Sequence, residues 1–179
     1  MSHAGLQIRR GRGFTLIELI TVVVILGIIA LVVGVPTLSN LNSLRSSAAA
    51  SRLAGDIRYL QRTAMASGLR TWLVADASNE RYTLHIEDPA NPGKAGRVAL
   101  PNPLDQSTSA VQFNSSPYNG VLITSANFNS TAELEFDNFG APRDANAAAL
   151  PAIGLIVLSN GVAVRVHPVG GYVEHRKWP

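Results

Sequence analysis

Near the start of the chain the apolar positions are continuous. From Phe14 to Val35 there are 22 residues, of which Glu18 alone is charged. As a helix this run would be about 33 Å long at ~1.5 Å per residue. That suffices for a bilayer core of ~30 Å, so a membrane-spanning helix is expected over 14–36. Arg9, Arg10 and Arg12 precede it, a positive flank that favours the cytoplasmic side. Gly34 and Pro36 interrupt the run. Pro36 has no backbone N–H and crowds the preceding turn, so either a kink or the end of the membrane helix is expected there.

Beyond the interruption the pattern becomes helical. Ala49, Leu53, Ile57, Leu60 and Ala64 recur three or four residues apart within Ser39 to Ser67, and so share one face. Arg45, Arg52, Asp56 and Arg62 fall largely elsewhere, and Arg52 and Asp56 are spaced to pair. Gly68 is a stop signal. An amphipathic helix is expected over 37–68.

From Thr71 the period drops to two. Trp72 and Val74 alternate with Leu73 and Ala75, and Tyr82, Leu84 and Ile86 with Thr83, His85 and Glu87. The turn-rich stretch Asp76 to Glu80 makes these a hairpin. Pro89 to Pro103 reads as loop around a short strand at Arg97 to Leu100. Further strands are expected at 110–113, 121–124 and 132–136. A turn is expected at 137–142, and a mobile loop over Asp144 to Leu150. Gly154 to Leu158 is a buried type of strand. Asn160-Gly161 is a strong hairpin signal. After it Val162, Val164 and Val166 face inward, and Gly170-Gly171 turns the chain into Tyr172-Val173. The expectation for 69–179 is roughly eight short strands, with one sheet packed on the helix.

Glu18 is the outlier in the apolar run. A carboxylate near a bilayer core costs a few kcal/mol and such groups usually have partners, although the helix N-terminus favours negative charge. An ordinary anchor with a tolerated interfacial Glu is one reading. The other comes from the whole stretch. Gly13-Phe14-Thr15-Leu16-Ile17-Glu18-Leu19, behind a short basic leader and ahead of an apolar helix, resembles the processing site of type IV pilins and pseudopilins. The resemblance implies that 1–13 is a leader, that a prepilin peptidase cuts between Gly13 and Phe14, and that Phe14 is then N-methylated. It implies that Glu18 serves assembly, by meeting the N-terminal amine of a neighbouring subunit. It also implies that Pro36 marks a segment that loosens as subunits pack. No Ala-x-Ala-like site succeeds the apolar run, so an ordinary secretory signal fits poorly.

The later part is similar, more loosely, to the minor-pseudopilin group that includes type II secretion protein H and the FimT-like pilus-biogenesis proteins. The residues concerned are Phe136-Asp137-x-x-Gly140-x-Pro142 and Leu158-x-Asn160-Gly161, running on to Gly171-Tyr172-Val173. The fold class implied is α+β and pilin-like. A long N-terminal helix, transmembrane in its first half and amphipathic in its second, packs on an antiparallel β domain. The implied function is a structural subunit of a pilus-like filament in type II secretion. It would be held in the bacterial inner membrane by a single pass, with its C-terminal domain in the periplasm. Its partners would be other pilins through the N-terminal helix, the prepilin peptidase, the membrane and secreted protein cargo. Two rivals stand beside it. One is a FimT-like minor pilin of a type IV pilus that binds DNA for uptake. The other is an uncleaved, membrane-anchored periplasmic binding domain.

The leader changes the reading of charge. The chain of 179 residues has 15 Lys+Arg against 12 Asp+Glu. Three of those cations, Arg9, Arg10 and Arg12, lie in the leader and no acid does. The chain beyond Gly13 therefore balances at 12 of each, with His neutral, and carries no global footprint for nucleic acid. There is no Cys, so the fold rests on packing without disulfides or thiolate metal sites.

Candidate chemistry is sparse. His3, His85, His167 and His175 form no His-Glu-x-x-His pair, Gly93-Lys94-Ala95-Gly96 lacks phosphate-loop spacing, and no Gly-x-Ser-x-Gly elbow is present. No enzyme, metal site or cofactor is expected, and His85 and His167 read as solvated strand residues. Arg165, His167, Tyr172, His175, Arg176, Lys177 and Trp178 gather cations and aromatics near the C-terminus. Such a group can touch nucleic acid through phosphate contacts and stacking, with Arg165, Arg176 and Lys177 as the contacts. The alternative is a solvated tail.

Overall fold

The computed structural model of the chain describes residues 14–34, 36–101 and 110–178. Leader residues 1–13, including Gly13, lie outside the described residues. The chain divides into two compact units, Met1–Asn40 and Leu41–Pro179.

In the first unit, helix α1 runs Leu16–Gly34 and helix α2 starts at Pro36. Proline suits a first helical position, where its missing N–H would have no partner. Among the described residues, no helix is long and apolar enough to cross a membrane.

The second unit takes in α2 from Leu41 to its end at Ser67. Gly68 then adopts a left-handed φ of 70° and donates its N–H to Ala64 O at 2.9 Å, which ends the helix. Ala49, Leu53, Ile57, Leu60 and Ala64 are all fully buried, as their spacing predicts. Asp56 departs from the expectation, being buried on the same side of the helix. Its place between Leu53 and Leu60 turns it inward, and partners there compensate it. Tyr82 Oη donates to its Oδ2 at 2.6 Å, and Arg52 Nε does so at 3.0 Å.

Ten strands come next among the described residues, more than the roughly eight expected, and they form two sheets that both pack on the helix, where one sheet was expected to cover it. Strands β1 (Thr71–Asp76), β2 (Arg81–Ile86), β3 (Val98–Ala99), β4 (Ala110–Gln112), β6 (Glu133–Phe136) and β7 (Pro142–Arg143) form a six-stranded sheet. Its order is β3-β2-β1-β6-β7, and β4 also pairs with β2. Strands β5 (Ile123–Asn127), β8 (Gly154–Leu158), β9 (Val162–Val166) and β10 (Val173–Lys177) form the second sheet, in the order β10-β9-β8-β5. Each of these pairings is antiparallel. Leu73, Leu84, Leu134 and Phe136 of the first sheet and Ile156, Leu158, Val164, Val166 and Val173 of the second join the apolar face of α2 in one core.

Three differences from the sequence pattern have local causes. Strand β1 is buried on both faces, so Trp72 is as inaccessible as Leu73. Strand β5 starts later than expected and runs to Asn127, with a register irregularity between Ile123 and Ser125. Its Ser125 and Asn127 give no apolar alternation. The stretch after Asp144 is held from within, contrary to the mobile loop expected. Asp144 Oδ1 accepts the N–H groups of Asn146 at 2.9 Å and Ala148 at 3.0 Å, its Oδ2 accepts Asn129 Nδ2 at 2.6 Å, and Leu150 is buried.

One side chain of α2 ties the two sheets together. Gln61 Nε2 donates to Gly140 O and to Gly170 O, both at 2.9 Å. Gly140 lies in the turn after β6 and Gly170 in the turn between β9 and β10. The close approach requires glycine at Gly171, where φ is +63° and a Cβ would lie 2.4 Å from Gln61 Nε2.

Candidate assembly site

The first turn of α1 is built by Thr15. Its carbonyl accepts the N–H of Glu18 at 3.1 Å and that of Leu19 at 3.2 Å, and its Oγ1 accepts the Glu18 N–H at 3.3 Å. Thr15-x-x-Glu18 thus has the spacing of a capping box, in which the N-cap hydroxyl satisfies a donor that the helix leaves unpaired. One turn on, Thr21 Oγ1 donates to Ile17 O at 2.8 Å. The hydroxyls of the apolar run are accordingly bonded to its own backbone.

Around that first turn nothing is covered. Phe14 is 79% exposed and Leu16 77%, and every described side chain from Phe14 to Ala30 is exposed. A helix apolar on all sides is found in membranes or in the middle of assemblies. An exposed apolar surface of this extent marks an interaction site. Glu18 stands in this surface, and its carboxylate has no ion-pair partner among the described residues. Of the other residues singled out in the sequence, Phe14 flanks the cap, and Gly34 and Pro36 bound the junction of the two helices.

Of the C-terminal group, His175, Arg176 and Lys177 lie on the paired edge strand β10 rather than on a tail, and Arg165 on its neighbour β9. Cross-strand pairing sets Glu174 opposite Arg165, and Glu174 Oε1 lies 3.6 Å from both Arg165 Nη1 and His167 Nε2. Arg165 also stacks on Trp178, its Cζ 5.1 Å from the ring centroid, and His167 packs on Tyr172 at 5.6 Å. His175 turns to the helix, with Nε2 3.3 Å from Ser51 Oγ. Arg176 and Lys177 are exposed, but as neighbours on a strand they point to opposite faces. The cations are thus partly neutralised and divided between two faces, which disfavours a continuous track for phosphates.

Pattern reasoning missed a polar layer on the outer face of the six-stranded sheet. Trp72 Nε1 donates to Glu135 Oε2 at 2.8 Å. The guanidinium groups of Arg70 and Arg97 lie over the indole at 5.6 and 5.9 Å. Arg70 pairs with Glu87 at 2.6 Å, and Lys94 and Arg97 both reach Glu133 Oε1 at 2.8 Å. Hydrogen bonds from Arg70 above all hold the Glu87 carboxyl at about 2, helped by the N–H of Gly93. Burial pushes the Glu135 carboxyl up, against the pull of Trp72 and Arg70, and its Oε1 accepts no hydrogen bond. His85 is pushed down by burial and then by Arg97. It is half-buried, with Nε2 3.0 Å from Thr83 Oγ1, so it is not the freely solvated residue expected. The alternation of β1 and β6 signalled the strands, but not that long cations from the 87–97 segment would cover their outer face.

Comparison with known proteins supplies the context. The prokaryotic N-terminal methylation motif matches residues 8–34. Two solved structures of the minor pseudopilin EpsH from the type II secretion system of Vibrio cholerae superpose on the chain. One has a TM-score of 0.51 at 13% identity, covering 74% of this chain and 97% of EpsH. The other has a TM-score of 0.55 at 12% identity, covering 75% and 95%. The fold is that of a minor pseudopilin. No curated protein sequence matches the chain. The motif lies at the N-terminal helix, and the likeness in fold extends over the greater part of the chain. The capped first turn, the uncovered apolar helix and Glu18 all lie within the stretch that the motif matches.

Proposed function

We propose that this chain is a minor pseudopilin, a structural and non-catalytic subunit of a pilus-like filament of the type II secretion kind. A methylation-motif helix whose described side chains are exposed on every side carries this reading. Such a helix requires lipid before assembly and other helices after it. The leader 1–13 would hold the N-terminus in the cytoplasm through Arg9, Arg10 and Arg12. The apolar run over 14–36 would anchor the chain in the inner membrane, with the β domain in the periplasm. Cleavage between Gly13 and Phe14 creates a new cationic amine, and N-methylation leaves it cationic. In the low dielectric of a helix bundle that charge needs a counter-ion, and Glu18 of a neighbouring subunit supplies one. Other pilins and the prepilin peptidase are the primary partners, and secreted cargo would meet the β domain. The divided and partly neutralised cations of β9 and β10 favour this reading over DNA uptake.

Intact mass and N-terminal sequence of the protein purified from membranes test the proposal. The expected species begins at Phe14 and carries one added methyl group. A chain retaining Met1 or Ser2 at its start would overturn it in favour of an uncleaved anchored domain.

A further inference from the structure

The way α2 is held changes abruptly along its length. From Ala49 onward it is fastened by a buried apolar stripe. Over residues 41–48 one side chain, Ser46, is buried, while Leu41 and Leu44 are 46% and 66% exposed. What grips this first part is the turn between β8 and β9. Asn160 Nδ2 donates to Ser46 Oγ at 2.9 Å and to Asn42 O at 3.3 Å, and Ser159 Oγ lies 3.4 Å from Ser46 Oγ. A second polar contact runs from Arg45 Nη1 to Asn119 O at 3.3 Å.

The turn itself is well anchored. Asn160 and Gly161 have left-handed φ values of 61° and 66° within the loop Ser159–Gly161 that joins the paired Leu158 and Val162. Ser159 Oγ accepts the N–H of Leu122 at 3.1 Å, and Gly161 O accepts that of Trp178. The grip therefore comes from a rigid part of the fold onto a weak stretch of helix. Thr37, Ser39, Asn40, Asn42 and Ser43 are poor helix formers whose side chains compete for the backbone, and Pro36 offers no N–H. Hydrogen bonds exchange readily for water at little net cost, whereas the stripe beyond Ala49 cannot leave the core without exposing apolar surface. The compact unit begins at Leu41, next to the gripped residues.

We propose that the Ser159–Gly161 turn is a polar latch on α2. Its release lets the helix bend or unwind over residues 41–48 while the two sheets and the helix beyond Ala49 stay folded. The latch does not depend on leader cleavage or on the kind of filament.

Amide hydrogen exchange, read by mass spectrometry on the full chain in detergent micelles, tests this. Asn160→Gly keeps the left-handed turn and removes the side-chain donor. The expected result is exchange at least about tenfold faster across residues 43–48, with β1 and β9 unchanged. Unchanged protection over 43–48 would overturn the proposal, and so would an equal loss throughout both sheets, which would make the turn a general structural element. Ser46→Ala is the second variant. It installs a better helix former while deleting the acceptor, so faster exchange supports the latch and slower or unchanged exchange contradicts it.

Discussion

Tyr82 and Asp56 meet across the seam between α2 and the six-stranded sheet, the phenol donating to Oδ2 at 2.6 Å with both residues buried. Arg52 completes the arrangement from one turn earlier on the helix. A buried carboxylate that loses one donor keeps its desolvation cost. Tyr82→Phe should therefore lower stability by about 1.5–3 kcal/mol, the range for hydrogen bonds to charged groups, as read from urea denaturation. Burial first, and then Asp56, push the Tyr82 phenol well above its ordinary value. The proton is retained more tightly in the folded state. Its contribution is complete below about pH 10 and fades as pH rises beyond that. The phenylalanine variant should lack this alkaline decline.

Glu87 behaves in the opposite sense. Its folded carboxyl sits near 2 against an ordinary 4.5, so the unfolded chain binds the proton first as pH falls. The stabilisation is complete above about pH 4.5 and is lost between there and about pH 2. Glu87→Gln should flatten the stability profile in that window and lower stability at about pH 7. Thermal melts at about pH 2.5, 4.5 and 7 read both effects.

Glu135 should invert that result. Burial raises its carboxyl, so ionisation weighs against the fold as pH rises from about 4.5 through the raised value. Glu135→Gln keeps an acceptor for Trp72 Nε1 and removes the charge. Relative to the native chain it should gain in melting temperature from about pH 4 to about pH 7. A constant difference would mean that the carboxylate is ionised at no cost.

The capped first turn separates two roles of Glu18. Glutamine serves at the third position of a capping box as glutamate does, but it offers no negative charge. If Glu18 neutralises a neighbour's amine, Glu18→Gln and Glu18→Ala should both insert and be cleaved, and both should fail to enter filaments. Co-sedimentation of sheared filaments, beside leader-cleavage assays, checks this. Normal incorporation of the glutamine variant would assign Glu18 to the cap alone. Thr15→Ala addresses the cap itself, at about 1 kcal/mol of local helix stability, seen as fraying of the first turn by hydrogen exchange.

Gly171→Ala should be among the costliest single substitutions. The backbone alone contributes about 1–3 kcal/mol of strain at a left-handed position, and the new Cβ would lie 2.4 Å from Gln61 Nε2 and 3.1 Å from Phe136 Cε1. Gly170→Ala, with open space around its Cβ, bears the backbone part alone. The difference in urea midpoint between the two isolates the steric share.

The sequence made the helix and the hairpins legible where one period dominated. The three- and four-residue spacing from Ala49 to Ala64 identified the buried stripe, and Asn160-Gly161 identified the β8–β9 turn. Charge hid what remained. Strand β10 carries Glu174, His175, Arg176 and Lys177 in succession, the composition of a protected edge rather than of an apolar strand. Asp56 looked like a surface residue because its compensating donor, Tyr82, is distant in sequence. Trp72 and Glu135 are likewise brought together only by the pairing of β1 with β6. The N-terminal motif was the most legible part, since the run around Glu18 is distinctive before any folding is considered.

Gln61 gives the domain a mechanical property. Its single amide holds a turn of each sheet, so part of any pull along the helix reaches both sheets in parallel, beside the bonds of Asp56 with Tyr82 and of Arg58 with Val173 O. Neither sheet has to transmit the whole load to the other through apolar contacts, which slide more easily than hydrogen bonds break. The domain is thereby braced against shear between its two sheets, and one glutamine spans the seam.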